Sequence, residues 1–270
     1  MHGQQRQHHR NVSTVVISKG YMTAYVPPSI SVLGIPVTNF RSSDEAVRTI
    51  EERIDSGERT FCVAINPEKI YRMGHDARLK RAVNSAQVRI CDGVGVSIAS
   101  WLLYGRRLAR CTGIDLFLKL VDRAAGRGWK VFLLGASPEV NEAACRELVK
   151  TFPALTIVGS QNGFFENPLQ VVKNINDSGA EVLFVAMGSP RQEFWISEHW
   201  PDLNTTFCMG VGGSLDVVSG LVKRAPASFR KTGTEWLYRL LADPRRFRRQ
   251  LALPSFAWDT LRAMARRWVV

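Results

Sequence analysis

One acidic residue between an apolar run and two glycines is a candidate catalytic group. Asp92 follows a predicted strand over residues 87–91 and precedes Gly93 and Gly95. A carboxylate at the end of a buried strand can point into a cleft, although aspartate at such a position is also a common turn or helix-capping residue. Arg110 and Thr112 follow it in the chain. Arg110 could pair with a phosphate or with Asp92, and Thr112 could simply cap the next helix.

Three further loops have residues that suit a bulky or phosphate-bearing ligand. Residues 135–138 (GASP) are small, so free backbone N–H groups at the following helix could meet a phosphate, although many ligand-free turns look similar. Residues 188–193 (GSPRQE) hold a polar triplet that packing does not require, and a solvated turn is the alternative. In residues 210–216 (GVGGSLD), glycines allow close backbone approach, and the aspartate could bond a ribose or cap a helix. The candidate ligand-contacting residues are Gly135, Ser137, Gly188, Arg191, Gln192, Glu193, Gly212, Gly213 and Asp216.

Alternating strands and helices must position these loops. We predict strands over residues 31–37, 60–65, 87–91, 130–134, 156–158, 181–186 and 206–211, with helices between them. This alternation favours an α/β, Rossmann-like fold, a mainly parallel sheet covered by helices on both faces. Ligands of such sheets bind at the carboxyl ends of the strands, where all four loops lie.

The chain divides into three predicted segments. Residues 1–28 are predicted to be a disordered or weakly ordered extension, and residues 29–219 form the Rossmann-like body. From residue 220 the strand pattern stops, and residues 220–270 form a basic helical appendage. Its predicted helices cover residues 235–241, 245–253 and 258–268, separated by Pro244 and Pro254.

Positive charge is concentrated in the appendage. The chain has a formal net charge of +12. From residue 220 onward there are twelve basic and three acidic residues, so this segment alone carries +9. Such a cationic segment on a nearly neutral body predicts an anionic partner, which could be a phosphate, a nucleic acid or a membrane face.

The composition excludes several classes of protein. A hydrophobic fraction of 45% with 22% charged residues is not that of collagen or of a disordered tail. The five cysteines form no C-x-x-C pair, which predicts reduced thiols in a cytosolic setting. The five histidines form no metal-spaced cluster, and the longest apolar runs are too short for a membrane-spanning helix. The chain also lacks Asp-x-Asp, the spacing that often holds a divalent ion on a sugar-nucleotide diphosphate, so protein cations would have to neutralise such a group.

Seven segments in order resemble the WecG/TagA/CpsF glycosyltransferases, and the resemblance covers about residues 31–249. Cys111 departs from the pattern, because a small or aliphatic residue is expected there. The segments are residues 66–69 (NPEK), 92–95 (DGVG), 110–113 (RCTG), 188–193 (GSPRQE), 210–213 (GVGG), 224–226 (RAP) and 235–239 (EWLYR).

The resemblance implies an inverting, metal-independent glycosyltransferase without a cofactor. It would move a hexose or N-acetylhexosamine from a UDP-sugar to an undecaprenyl-diphosphate-linked saccharide during synthesis of exopolysaccharide, common antigen or teichoic acid. The appendage would meet the anionic inner face of the bacterial cell membrane, so the enzyme would be cytoplasmic and peripheral. The expected partners include no nucleic acid, and a homo-oligomer is compatible with the family.

The resemblance also implies residue roles. Asp92 matches the proposed base, Arg110 the motif arginine and Gln192 the turn glutamine, and these three form the predicted catalytic set. Asn66 and Thr112 join the loop residues above as predicted substrate contacts. Arg224 and Arg239 are predicted to meet the diphosphate, and no metal site is expected.

Two other classes of function remain open from the residues alone. A nucleotide-dependent oxidoreductase would use the same fold, but G-x-G-x-x-G is missing. A nucleic-acid-binding protein could use the basic appendage, whose aromatic residues would stack on bases. The same residues also suit a membrane interface: Trp236, Tyr238, Phe247, Trp258 and Trp268.

Overall fold

A parallel sheet of six strands forms the centre of the molecule. The computed structural model describes residues 25–244 and 247–268, so nearly all of the predicted N-terminal extension lies outside the described residues. Across the sheet the strand order is β4-β3-β8-β7-β5-β6, and every neighbouring pair is parallel, which confirms the predicted α/β fold. The strands are β3 (Thr60–Ile65), β4 (Val88–Cys91), β5 (Lys130–Gly135), β6 (Thr156–Gln161), β7 (Val182–Ala186) and β8 (Phe207–Gly210).

An antiparallel hairpin precedes the sheet, where the sequence predicted one strand over residues 31–37. That prediction is wrong. The segment forms β1 (Ser29–Val32) and β2 (Ile35–Thr38), with Val32 opposite Ile35. Leu33 and Gly34 have φ angles of 50° and 80° and turn the chain back on itself. The apolar pattern alone did not reveal this two-residue turn, because only Gly34 is a typical turn residue.

Both faces of the sheet are covered, so each strand contributes to two cores. In β3, Cys62 and Ala64 belong to one core, whereas Phe61, Val63 and Ile65 belong to the other. One face carries α1 (Ser43–Asp55), α5 (Gly113–Arg127), α6 (Pro138–Thr151) and α9 (Ser214–Val218). The opposite face carries α2 (Pro67–Met73), α3 (Ala77–Asn84), α4 (Val94–Tyr104), α7 (Pro168–Asp177) and α8 (Arg191–His199).

The appendage is helical where the structure describes it. Its elements are α10 (Ala227–Thr232), α11 (Glu235–Ala242), α12 (Phe247–Gln250) and α13 (Ala252–Trp268). Of the predicted helix over residues 245–253 the structure describes residues 247–253, which are divided at Leu251 between α12 and the start of α13. Pro254 separates no helices, contrary to prediction. It lies in the first turn of α13, where a missing N–H costs no helical hydrogen bond. α13 packs against α2 and α4, and Phe256 joins the core of that face.

The end of β5 tolerates no side chain at Gly135. Its φ is +114°, and a Cβ there would lie 2.5 Å from the carbonyl oxygen of Ala186 in β7. We expect Gly135→Ala to lower the free energy of unfolding by about 3 kcal/mol through strain and overpacking. Gly126→Ala is the matched control, because Gly126 lies within α5 with open space around it, so helix propensity should raise stability by up to about 1 kcal/mol. Denaturant unfolding measures both, and equal stabilities would contradict the prediction.

Candidate active site

Five loops meet at the carboxyl edge of the sheet. In order across that edge lie Asp92 after β4, Asn66 after β3, Gly212 after β8, Gly188 after β7 and Gly135 at the end of β5. With neighbouring strands about 4.8 Å apart, the outermost two of these loops are separated by roughly 19 Å. The sheet therefore brings the predicted loop residues to one elongated edge.

Asp92 lies half-buried beside the first turn of α5. Its N–H donates to the carbonyl oxygen of Ile65 at 2.8 Å, which ties this loop to β3. Gly113 opens α5, and a Cβ there would lie 3.9 Å from Oδ2 of Asp92 and 3.6 Å from Cβ of Ala64. The carboxylate is thus near the N-terminus of a 15-residue helix.

Two buried thiols flank this carboxylate. The N–H of Cys111 donates to the carbonyl oxygen of Cys91 at 2.8 Å. Burial, reinforced by the charge of Asp92, raises the pKa of each thiol to about 12. Both groups are therefore neutral at physiological pH and serve packing rather than nucleophilic chemistry. None of the five cysteines forms a disulfide, as predicted.

Three predicted ligand contacts are helix caps in the structure. The side chain of Asn66 accepts from the N–H of Lys69 at 2.8 Å, and that of Ser137 accepts from the N–H of Val140 at 3.3 Å. Thr112 caps α5 and donates its hydroxyl proton to Oδ2 of Asp115 at 2.6 Å. These side chains hold the helix starts in place at the sheet edge, and their contact with a ligand stays a prediction.

A buried polar network connects three of the loops. Nζ of Lys69 donates to Oε1 of Glu193 at 2.7 Å and to the carbonyl oxygen of Ala64 in β3 at 2.8 Å. Nε2 of Gln192 donates to the same carboxylate oxygen at 3.1 Å. Oε1 of Gln192 accepts from the N–H of Gly212 at 3.0 Å. The network therefore links β3, the start of α8 and the glycine-rich loop after β8.

The charge pair controls the protonation of this network. Burial alone would raise the pKa of Glu193, but the charge and hydrogen bond of Lys69 outweigh it and hold that pKa below its ordinary value. Gln192 in turn fills the space beside Gly210, where a Cβ would lie 2.5 Å from its Nε2. No role was predicted for Lys69 from the sequence, because nothing in the local sequence indicates that a lysine in the first turn of a helix is buried. Through its contacts with Gly210 and Gly212, Gln192 positions the loop after β8.

A second cluster, which we call the arginine corner, consists of Arg110, Asp115, Arg224, Arg230 and Glu235. Arg110 pairs with Glu235 at 2.9 Å and donates to the carbonyl oxygen of Arg230 at 2.6 Å. Arg224 pairs with Asp115. Arg110 thus forms an ion pair with a glutamate of the appendage. Asp115 and Arg230 were not singled out by sequence.

The arginine corner has more donors than acceptors. Burial would raise the pKa of Asp115, but hydrogen bonds from Thr112 and Arg224 keep it below its ordinary value. Three guanidinium groups face two carboxylates. The buried Nε atoms of Arg110, Arg224 and Arg230 have no hydrogen-bond partner among the described residues. A buried donor without an acceptor is costly, so the corner favours an added anion.

The remaining predicted residues lie on the loops after β7 and β8. Gly188 has a φ of 73°, and the Ser189–Pro190 bond that follows it is cis. Arg191 begins α8 and is exposed, and Gly212 has a φ of 53°. Asp216 lies in α9, and a Cβ added at Gly213 would be 3.4 Å from its Oδ2. The side chain of Arg239 lies outside the described residues.

Comparison with known proteins shows the family of this chain. The model of the glycosyl transferase WecG/TagA/CpsF family matches residues 30–269. The chain belongs to this family. It is also 34% identical over 209 residues, 77% of this chain and 81% of the relative, to the N-acetylglucosaminyldiphosphoundecaprenol N-acetyl-beta-D-mannosaminyltransferase of Bacillus spizizenii. The protein is therefore a WecG/TagA/CpsF glycosyltransferase, and the family match extends through α13.

The Lys69–Glu193 pair should be important for stability. We expect Lys69→Met to lower the free energy of unfolding by roughly 3–5 kcal/mol at neutral pH, because it leaves a buried carboxylate unpaired. Without Lys69 the pKa of Glu193 rises, so the carboxyl binds a proton as pH falls. The loss should therefore be smaller at about pH 5 than at about pH 7. Denaturant unfolding of the variant and the wild type at both pH values measures this.

Lys150→Met is the matched control for this substitution. Lys150 pairs with Glu147 at 3.5 Å on the surface of α6, where its side chain is 76% exposed. An exposed pair of this kind contributes less than about 1 kcal/mol, with little change between the two pH values. Equal losses for Lys69→Met and Lys150→Met would show that the buried network does not stabilise the site.

Proposed function

We propose that this glycosyltransferase transfers a sugar, with inversion, from a UDP-sugar to a saccharide linked to undecaprenyl diphosphate. The observation that carries the proposal is the position of Asp92 at the sheet edge beside α5, which is tied to the arginine corner through Thr112 and Asp115. The named activity of the relative supports N-acetylmannosamine as the transferred sugar and lipid-linked N-acetylglucosamine as the acceptor. The product would enter cell-surface polysaccharide synthesis.

Asp92 is the proposed base. Inversion requires one displacement, in which the acceptor hydroxyl oxygen bonds to the anomeric carbon while the bond from that carbon to the diphosphate oxygen breaks. The hydroxyl proton passes to the carboxylate of Asp92 as the new bond forms. An ordinary aspartate is a weak base for a free alcohol, so most of the transfer accompanies bond formation.

The arginine corner is the proposed site for the departing diphosphate. UDP gains negative charge as its bond to the sugar breaks, and guanidinium groups form strong, charge-assisted hydrogen bonds with phosphate oxygens. The excess of donors on Arg110, Arg224 and Arg230 supports this assignment. Arg239 remains a further proposed contact from the family resemblance. Protein cations would then take the role that a divalent ion has in metal-dependent transferases.

The rest of the donor would extend along the sheet edge. The loops at the ends of β8, β7 and β5 lie next to one another along the edge in that order. They contain Gly212 and Gly213, Gly188, and Gly135, respectively. Glycine at these places lets the backbone approach a nucleotide closely. Ser137, Arg191 and Asp216 are the proposed polar contacts on these loops, with the capping residues Asn66 and Thr112 near the sugar.

The appendage is proposed to hold the enzyme on the anionic inner face of the membrane. None of the described helices is long and apolar enough to cross a bilayer. On α13, the face opposite buried Phe256 exposes Trp258 and Leu261, with Arg262 beside them. Apolar and basic groups arranged in this way are typical of helices that lie in the membrane interface. Nucleic acid is not a proposed partner.

The role of Asp92 has a direct test. We expect Asp92→Asn to reduce turnover by roughly 10²–10⁴-fold, the usual contribution of a general base, without weakening UDP-sugar binding. Asp122→Asn is the matched control, because Asp122 is exposed on the same neighbouring helix, α5. UDP release with a short-chain diphosphate-linked acceptor measures turnover, and calorimetry measures donor binding. Turnover by Asp92→Asn close to that of the control would remove the base from the mechanism.

Metal independence is tested by chelation. In the described part of the chain, no three His, Cys, Asp or Glu side chains are grouped so that they could hold a metal ion. We expect turnover to be unchanged by excess EDTA, whereas Arg224→Met should lower it, because the arginine corner replaces the ion. Loss of activity with EDTA and its recovery with Mg²⁺ or Mn²⁺ would show that a metal neutralises the diphosphate.

A further inference from the structure

We propose that α4, a helix of the α/β body, inserts its exposed apolar face into the lipid bilayer beside the active site. The proposal rests on the proposed function, because a lipid-linked acceptor requires the bilayer to reach the enzyme. It differs from docking by the appendage, since α4 precedes the appendage by more than a hundred residues and belongs to the body. Membrane contact is then shared between body and appendage.

Large apolar side chains form an exposed face of α4. Ile98, Trp101 and Leu102 are 46%, 47% and 36% exposed. Their spacing of three and four residues places them on one side of the helix. No residue of α4, from Val94 to Tyr104, carries a formal charge. Three neighbouring large apolar side chains on one exposed helix face mark an interaction site rather than an ordinary surface.

The polar groups of α4 are bonded within the protein. Oγ of Ser97 donates to the carbonyl oxygen of Leu108 at 2.7 Å, and Oγ of Ser100 donates to that of Arg106 at 2.8 Å. The hydroxyl of Tyr104 donates to the carbonyl oxygen of Ser31 in β1 at 2.6 Å. These bonds anchor α4 to the body. They also let the exposed face enter lipid without leaving a hydroxyl of the helix unsatisfied.

Charge identifies the occupant of this face as an anionic bilayer. Residues 93–109 contain two arginines, Arg106 and Arg107, and no acidic residue. The guanidinium carbon of Arg107 lies 5.2 Å from the centre of the Trp101 ring. A tryptophan beside a cation suits the headgroup region, where the ring meets acyl chains and the cation meets phosphate. A second copy of this chain would bring the same positive charge to the face and be repelled.

The position of α4 connects this surface to the chemistry. Its first residue, Val94, is two residues from Asp92 and is in contact with Gly233 of the appendage, where a Cβ would lie 2.9 Å from Cβ of Val94. At 1.5 Å per residue, Trp101 is only about 10 Å along the helix from Val94. α13 packs against α4 and has an exposed tryptophan of its own, Trp258. Insertion of α4 therefore places Asp92 close to the headgroup layer, where a lipid-linked diphosphate lies.

Vesicle binding tests the proposal on the full-length protein. We expect Ile98→Gln combined with Leu102→Gln to weaken binding to phosphatidylcholine–phosphatidylglycerol vesicles at least about tenfold, by loss of apolar burial. Val149→Gln with Leu169→Gln is the matched control, because both residues are exposed on α6 and α7, beside the opposite end of the sheet. Unchanged vesicle binding of the α4 variant would overturn the proposal. So would a loss confined to a Trp258→Gln, Leu261→Gln variant of α13.

Two further measurements separate the alternatives. Turnover of the α4 variant on a short-chain soluble acceptor should equal that of the wild type, which shows that the variant is folded. If the wild type transfers no sugar, the proposed function fails while vesicle binding still decides the role of α4. Brominated acyl chains should quench wild-type tryptophan fluorescence, and Trp101→Phe should remove part of that quenching. Light scattering that showed a dimer dissociated by the α4 substitutions would identify a second copy as the occupant.

Discussion

The buried pair of Lys69 and Glu193 is the interaction on which the architecture of the site depends. A parallel sheet brings its loops to one edge but leaves their conformations free, and here one ammonium group and one carboxylate join three of them. The pair is stable inside the protein because the carbonyl oxygen of Ala64 and the amide of Gln192 satisfy further hydrogen-bonding positions. Oε1 of Gln192 in turn accepts from the N–H of Gly212 and so positions the backbone of the loop after β8. A buried charge pair therefore serves to specify the positions of loops.

The arginine corner joins the appendage to the body by the same kind of interaction, nearer to the surface. Arg224 and Glu235 come from the appendage, whereas Asp115 and Arg110 come from the body, so two ion pairs cross the boundary predicted at residue 220. The boundary that composition suggests is thus bridged at the proposed catalytic end of the sheet. Because the same arginines are the proposed diphosphate contacts, donor binding and docking of the appendage would be coupled. The conformation of the appendage is then part of the proposed active site.

The arrangement of the helices suggests how such an enzyme would meet an insoluble acceptor. α4 begins beside Asp92, and α13 packs against it, so the apolar surfaces of body and appendage are neighbours. Lys69 and Glu193 order the loops after β3, β7 and β8, and the arginine corner lies at the first turn of α5. The proposed donor loops and the proposed membrane surface therefore occupy different parts of the edge, with Asp92 between them. A soluble nucleotide and a lipid-linked acceptor could then approach the carboxylate from different directions.

Local patterns in the sequence were sufficient for the fold. The alternation of apolar runs and amphipathic segments predicted all six strands of the sheet, since burial on both faces leaves a continuous apolar run. Glycines, prolines and helix-capping residues located the loops at its carboxyl edge. The family followed from seven short segments in order, which predicted Asp92, Gln192 and the arginines as a group before any contact was known.

Partners distant in the chain could not be read from these patterns. Lys69 meets Glu193 across 124 residues, and Arg110 meets Glu235 across 125. No local signal shows that a lysine in an exposed-looking helix is buried, or which carboxylate an arginine faces. The turn at Leu33 and the course of α13 through Pro254 were missed for a different reason, because leucine is not a typical turn residue and proline is tolerated in the first turn of a helix. The amino-acid sequence thus specified the elements and the chemical groups, whereas packing of the helices on the sheet selected the pairs, because ion pairs and apolar contacts depend on distance in space.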